Sequence, residues 1–225
     1  MPALIEALID KQDVSEIIRD QIAALLVLES ERQQVLATAA NKDPALWALQ
    51  VFLERSDPWS MYQDHPETVT PVISVSLQAN AFDKARSDIV QTQGCTGAFH
   101  VDCYGYGKAS DVAGGGHMPG DEKAAMECQR AVRLVRNILM SAHYAYLGLP
   151  RKTVEQRWIR DATFLTPPIG DKPTVHVVAG RVTLDVMFRE QSPQVQGVPF
   201  ELLFASIKRA SDGRLYFAAQ YGDDS

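Results

Sequence analysis

The stretch from Asp121 to Ala145, DEKAAMECQRAVRLVRNILMSAHYA, constrains this chain more than any other. Ala125, Cys128, Val132, Val135, Leu139 and Ala142 recur at intervals of 3, 4, 3, 4 and 3, and Ala131, Leu134 and Ile138 widen the stripe. That spacing predicts a long helix with one buried face. Lys123, Glu127, Arg130, Arg133 and Asn137 fall on the opposite face. Asp121 and Glu122 stand at the N-terminal end and the arginines further along, the order the helix dipole favours, and Gly148 and Pro150 stop the helix. Strand-like runs lie on both sides of it in sequence, so the simplest architecture lays this helix across one face of a sheet.

Upstream, residues 3 to 9 read as a short helix. A clearer one begins after Asp13, which with Glu16 forms a capping-box arrangement, and Val14, Ile18, Ile22, Leu25 and Leu28 fall on one side of it. Asp43-Pro44 then offers an N-cap and a first-turn proline for a second helix running to about Arg55, apolar over much of its circumference. Residues 1–60 are thus expected to be an N-terminal helical segment. Residues 61–225 are expected to be an α+β core with an antiparallel or mixed sheet, the two forming one structural unit.

In the core, Ile73, Val75 and Leu77 alternate with Ser74, Ser76 and Gln78, the period of a half-buried strand. A second alternation sets Phe99, Val101 and Cys103 against His100, Asp102 and Tyr104. The residues between, 79–98, are too many for a tight hairpin and read as a projecting arm or a partly ordered loop. Residues 105–120 read as a glycine-rich loop. After the long helix, Val154 to Leu165 reads as a strand. Val175, Val177 and Ala179 alternate on odd positions, Gly180 breaks the phase, and Val182, Leu184, Val186 and Phe188 resume on even ones, which suggests a bulge. Phe200 to Lys208 and Leu215 to Tyr221 form a hairpin turning at Asp212-Gly213.

No stretch spells out a reaction. The glycines before the long helix lack a GK[ST] or GxGxxG pattern, and Asp121 and Glu122 would repel a phosphate there. Cys95, His100, Cys103 and His117 could together offer four zinc ligands, but at no recognised spacing. His100 and Asp102 share a strand face and could form an acid/base couple. Arg130, Arg133 and Arg136 form a basic cluster, read as a solvated or salt-bridged face or as contact with an acidic partner. A net charge of −6 argues against coating nucleic acid, and three cysteines without a CxxC pair argue for reduced thiols. The apolar runs are too short for a membrane span, so a soluble, cytosolic product is expected.

The passages IRDQIAALL (18–26), PVISVSL (71–77), FHVDCYGYG (99–107), DEKAAMECQRAVRLVRNIL (121–139) and VTLDVMFREQSP (182–193) carry a resemblance to a minor virion protein of tailed bacteriophages. The chain resembles the tail-terminator or tail-completion group of the head–tail neck over about residues 13 to 210. That resemblance implies a small sheet backed by helices, assembled as a homohexameric ring that caps the tail tube, stops its polymerisation and meets the head connector. Its partners would be further copies of itself, the tail-tube protein and connector or neck proteins, with DNA passing through the lumen. It would be a structural protein, not an enzyme, without metal or cofactor, located in the virion neck after assembly in the host cytoplasm. The helical stretch 31–60 and the loop 105–120 exceed what a compact terminator needs, and would also suit a head-completion or connector-adaptor protein. Two other classes compete: a small enzyme using His100, Asp102 or a metal, and a monomeric host-factor binding protein. Irregular segments are where an assembly protein meets its neighbours. The expected interface residues are therefore Phe82, Lys84 and Arg86 in the arm, Gly114, Gly115, Gly116 and His117 in the loop, Arg130 and Arg133 on the helix, and Asp212 and Gly213 in the final turn.

Overall fold

The computed structural model describes residues 12–64, 70–87, 92–112, 116–151, 153–165, 176–191, 203–208 and 215–221. Lys11–Ser192 form one compact unit, and Met1–Asp10 with Pro193–Ser225 form a second. The short helix expected at residues 3–9 lies outside the described residues.

Helix α1 (Val14–Ala39) opens with the expected capping box of Asp13 and Glu16. Ile18, Ile22, Leu25 and Leu26 enter the core, whereas Leu28, expected on the same side, is exposed. The buried stripe continues instead through Glu29 and Ser30, because both find polar partners. The Glu29 carboxylate accepts from the Tyr144 hydroxyl (2.8 Å) and the Gln33 amide (2.6 Å). Burial alone would push its pKa up, but these bonds and Arg32 hold it below the usual glutamate range.

The second helix expected after Asp43 is not formed. Asp43 does cap, accepting from Ala45 N–H at 2.9 Å, but only one 3-10 turn follows, Pro44–Trp47. Ser30 Oγ then donates to the Trp47 carbonyl and accepts from Leu49 N–H, which turns the chain into strand β1 (Gln50–Leu53). The stretch looked apolar all round because neighbouring strand residues point to opposite sides: Val51 packs on the main core and Phe52 on a second cluster.

β1 pairs in parallel with β2 (Val72–Asp83), which is antiparallel to β3 (Thr92–Gly107). After β3 come a small hairpin, β4 (Ser110–Val112) with β5 (Gly116–Met118), and then the long helix; a single helical turn, α2 (Met61–Asp64), lies between β1 and β2. β6 (Val154–Leu165) and β7 (His176–Gln191) complete a mixed sheet of order β1-β2-β3-β7-β6. The fold is α+β. The predicted long helix is present as α3 (Gly120–Met140), with Cys128, Val132, Val135 and Leu139 buried as expected. It ends before Ala145, and a 3-10 turn, Ala142–Tyr144, follows it. In the second unit, β8 (Leu203–Lys208) pairs antiparallel with β9 (Leu215–Tyr221), as expected.

Both α1 and α3 cover one sheet face, packing on Ile73, Val75, Phe99, Val101, Val182 and Leu184. The phase change at Gly180 is not a bulge: pairing with β3 runs unbroken through Gly180 opposite Cys103. What changes is which face is buried. Val177 and Ala179 join Tyr62, Val72, Tyr104 and Tyr106 on the far side of the sheet, while Val182 to Phe188 bury their even positions under the helices. The bulges lie on β6 instead, between Val154 and Gln156 and between Ile159 and Asp161.

Candidate assembly interface

The expected arm is not an irregular loop. β2 and β3 continue through most of residues 79–98, pairing from Ala79 with Ala98 to Asp83 with Gly94, with one register shift between Leu77 and Ala79. Asp83 accepts from Ala85 N–H (2.9 Å) and starts a 3-10 turn, Lys84–Arg86. The tip is tied down at two points. Ser87 Oγ donates to the Asp83 carbonyl and accepts from Gly94 N–H, while Arg86 bonds Glu155 on β6, a carboxylate it shares with Arg189. Phe82 is 58% exposed and Lys84 is exposed, so these two face solvent while Arg86 is engaged within the chain.

The Arg189 hydrogen bond and the Arg86 charge hold Glu155 below the usual glutamate range. A carboxylate whose pKa is depressed by folding contributes stability above its unfolded value and loses it as pH falls through the folded one. The tip should therefore stay tied at neutral pH and come loose only below the ordinary value of 4.5. Protection factors of the Thr92 to Cys95 amides, taken relative to their intrinsic exchange at each pH, should fall there, and Glu155→Gln should show that lower protection already at pH 7. Equal protection in wild type and variant would show that the ion pair does not hold the tip.

In the glycine-rich segment, Gly114 and Gly115 lie outside the described residues. Gly116 and His117 belong to β5, opposite Val112 and Asp111, and His117 Nδ1 is 3.1 Å from Asp111 Oδ1 at an exposed position. On α3, Arg130 is paired with Glu127, whereas Arg133 is exposed and makes no ion pair among the described residues. Asp212 and Gly213 lie outside the described residues. The structure thus brings Phe82, Lys84 and Arg86 together and leaves Gly116 and His117 on a separate hairpin.

Several features were missed in the sequence. On the sheet face away from the helices, Arg181 Nε and Nη2 fork onto Asp102 at 2.7 and 2.8 Å, and Arg160 forks onto the buried Asp185 at 2.9 and 2.6 Å. Thr183 Oγ1 donates to Asp161 at 2.9 Å. These bonds cross β3 to β7 and β7 to β6. The only sequence signal is the polar series Arg181, Thr183, Asp185 alternating with the buried Val182, Leu184 and Val186. Asp102 is therefore committed to Arg181. Burial, and after it the charge of Arg181, hold His100 below its usual 6.5. No hydrogen bond joins His100 to Asp102 among the described residues, and both Asp102 oxygens accept from Arg181. Just beyond α3, Arg157 donates to the carbonyls of Ser141 (2.7 Å) and Tyr144 (3.0 Å), and it lines a cleft of about 510 Å³.

The suggested zinc set is dispersed. Cys95 and Cys103 are buried under the helices, His100 lies on the opposite face and His117 pairs with Asp111. No group of three or more potential ligands occurs among the described residues. Burial pushes the thiols up, Cys95 to about 11, Cys128 to about 12 and Cys103 well above its ordinary value. Ellman's reagent should find no fast-reacting thiol in the folded chain and three after denaturation. One rapid native thiol would contradict this burial.

Among the described residues no helix is long and apolar enough to cross a membrane. No protein-family model matches the chain, and no curated protein sequence matches it.

Proposed function

We propose that this chain is a structural protein of the head–tail neck of a tailed bacteriophage, a tail terminator that forms a ring, caps the tail tube, stops its growth and joins the tail to the head connector. The observation that carries this reading is the far half of the β2–β3 hairpin. It holds a large exposed apolar side chain, Phe82, on a strand whose tip is tied back to β6. A solvent-facing aromatic on a rigid support is a binding anchor in search of a pocket, since little conformational entropy is lost when it docks. The α+β fold, with helices on one face of a small sheet, agrees with what the resemblance to terminators implies. The acidic net charge suits a lumen through which DNA slides without being held.

The test is mass determination and negative-stain imaging of the full chain, alone and with tail tubes. Rings of about six copies, or density capping tube ends, are the expected result. A chain that stays monomeric across the concentration range and leaves tube length unchanged would overturn the reading. Phe82→Ser should weaken capping at least tenfold, the ~1.4 kcal/mol that loss of one aromatic anchor readily exceeds, without lowering the melting temperature. Unchanged capping would remove Phe82 from the contact.

A further inference from the structure

The sheet ends in β1 on one side and β6 on the other, and neither outer edge has a backbone partner among the described residues. An open edge is a template for another strand unless bulges, charges or prolines blunt it. The first part of β6 is blunted. It carries both bulges, and its Glu155, Arg157 and Arg160 are committed to Arg86, to carbonyls after α3 and to Asp185. From Ala162 to Leu165 the strand is regular and lacks lysine and proline, and Phe164 and Leu165 are 51% and 54% exposed.

Strand register shows what fits there. Leu53 lies level with Val75, Val101, Val182 and Ala162, and Val51 with Ile73, Cys103, Gly180 and Phe164. The four residues of β1 therefore stand at the same height as Ala162 to Leu165. β1 runs parallel to β2, and the three further steps to β6 each reverse direction, so β6 is antiparallel to β1. A second copy set alongside without being inverted presents its β1 to β6 in the antiparallel sense, the stronger form of pairing. The exposed Leu53 and Phe164 share the helix-covered side of the sheet and would shield each other across the join. The free edge of β2 just beyond β1 does not compete, because the Glu54 carboxylate occupies Leu77 N–H at 3.0 Å.

We propose that β1 of one copy adds to Ala162–Leu165 of the next, making the sheet continuous between subunits. The contact joins opposite edges of the same chain, so it is head-to-tail and repeats from copy to copy instead of stopping at a dimer. It rests on the ring reading above and names the contact that would build the ring.

The test places cysteines at both edges of the full chain, Leu53→Cys with Ala162→Cys, or with Phe164→Cys for a register two residues away. Mild oxidation of assembled protein should give a ladder of covalent oligomers beyond the dimer, and neither single variant should give one. Proline scanning adds a second measurement. Of two adjacent edge-strand residues, one N–H points at β7 and the other outward, so one of Ala162→Pro and Thr163→Pro spares the monomer's own ladder. That variant should keep the wild-type melting temperature and assemble at least tenfold more weakly. Rings that form without cross-linking and without proline sensitivity would overturn this contact while leaving the ring reading intact. A ladder that stops at the dimer would overturn the head-to-tail geometry, and a chain that never assembles with tubes would overturn both readings.

Discussion

Gly105→Ala is expected to lower the melting temperature by roughly 6–12 °C, the shift that about 3 kcal/mol produces in a chain of this size. The reason is how α3 sits on the sheet. A methyl group at Gly105 would lie 2.3 Å from both the Ala124 carbonyl oxygen and the Cys128 backbone nitrogen, and one at Gly107 would lie 2.0 Å from the Gly120 carbonyl oxygen. Ordinary overpacking is relieved when a side chain swings aside, but here the obstacle is helical backbone, which moves only as a whole. Relief would lift α3 off β3 and open the cluster around Cys128, Val132 and Val135. The same close approach lets Cys128 Sγ reach the Cys103 carbonyl at 3.4 Å. Gly107→Ala should act in the same direction, and the pair together should leave little folded protein at 37 °C. A thermal scan that barely moves for either variant would mean that the helix is seated further from the strand.

Tyr62→Ala is the second large effect, expected to cost about 3–5 kcal/mol, the range for removing a buried aromatic. Tyr62 fastens the segment after β1 onto the sheet face that the long helices leave open. Its ring stacks on Tyr106 with centroids 4.8 Å apart, and beside it Trp59 packs on Tyr104 at 5.7 Å. Its hydroxyl donates to the Tyr104 carbonyl (2.8 Å), lies 3.2 Å from that of Thr70 and accepts from Val72 N–H (3.0 Å). Tyr62→Phe separates the two contributions: it keeps the stack and strands a buried N–H, so it should cost only about 1–3 kcal/mol. Chemical denaturation of the three proteins measures both steps. If the phenylalanine variant lost as much as the alanine one, the hydroxyl and not the ring would be the fastening element. Because this segment follows directly on β1, loosening it should also weaken any assembly through the β1 edge.

Much of the fold was legible in residue order. The α3 stripe, the capping box at Asp13 and Glu16, and the alternation at Phe99, Val101 and Cys103 each report a local period, and a period survives only if the face it marks is buried. The errors arose where a segment's state depends on what lies beside it. Residues 44 to 55 carry helix-start signals, yet Val51 and Phe52 extend because β2 offers a ladder and Ser30 takes the backbone groups of Trp47 and Leu49. The supposed arm looked irregular because the end of β2, from Gln78 to Asp83, is exposed or only half-buried on both sides, which erases the alternation there, while the ladder to the more buried β3 persists. Phe82 is exposed, whereas Arg86, expected to face a partner, is engaged with Glu155, 69 residues away, a pairing that residue order could not reveal.

By itself, the order of amino acids determined the α+β class, the burial of one face of α3 and the starts of both long helices, because these follow from spacing within a few residues. The tertiary structure alone decided which face of β7 is buried on each side of Gly180, that Asp102 belongs to Arg181 and not to His100, and that β1 and the end of β6 stand level and antiparallel at opposite edges. Those outcomes are set by strand order and register, which bring together residues tens of positions apart and which no local period encodes.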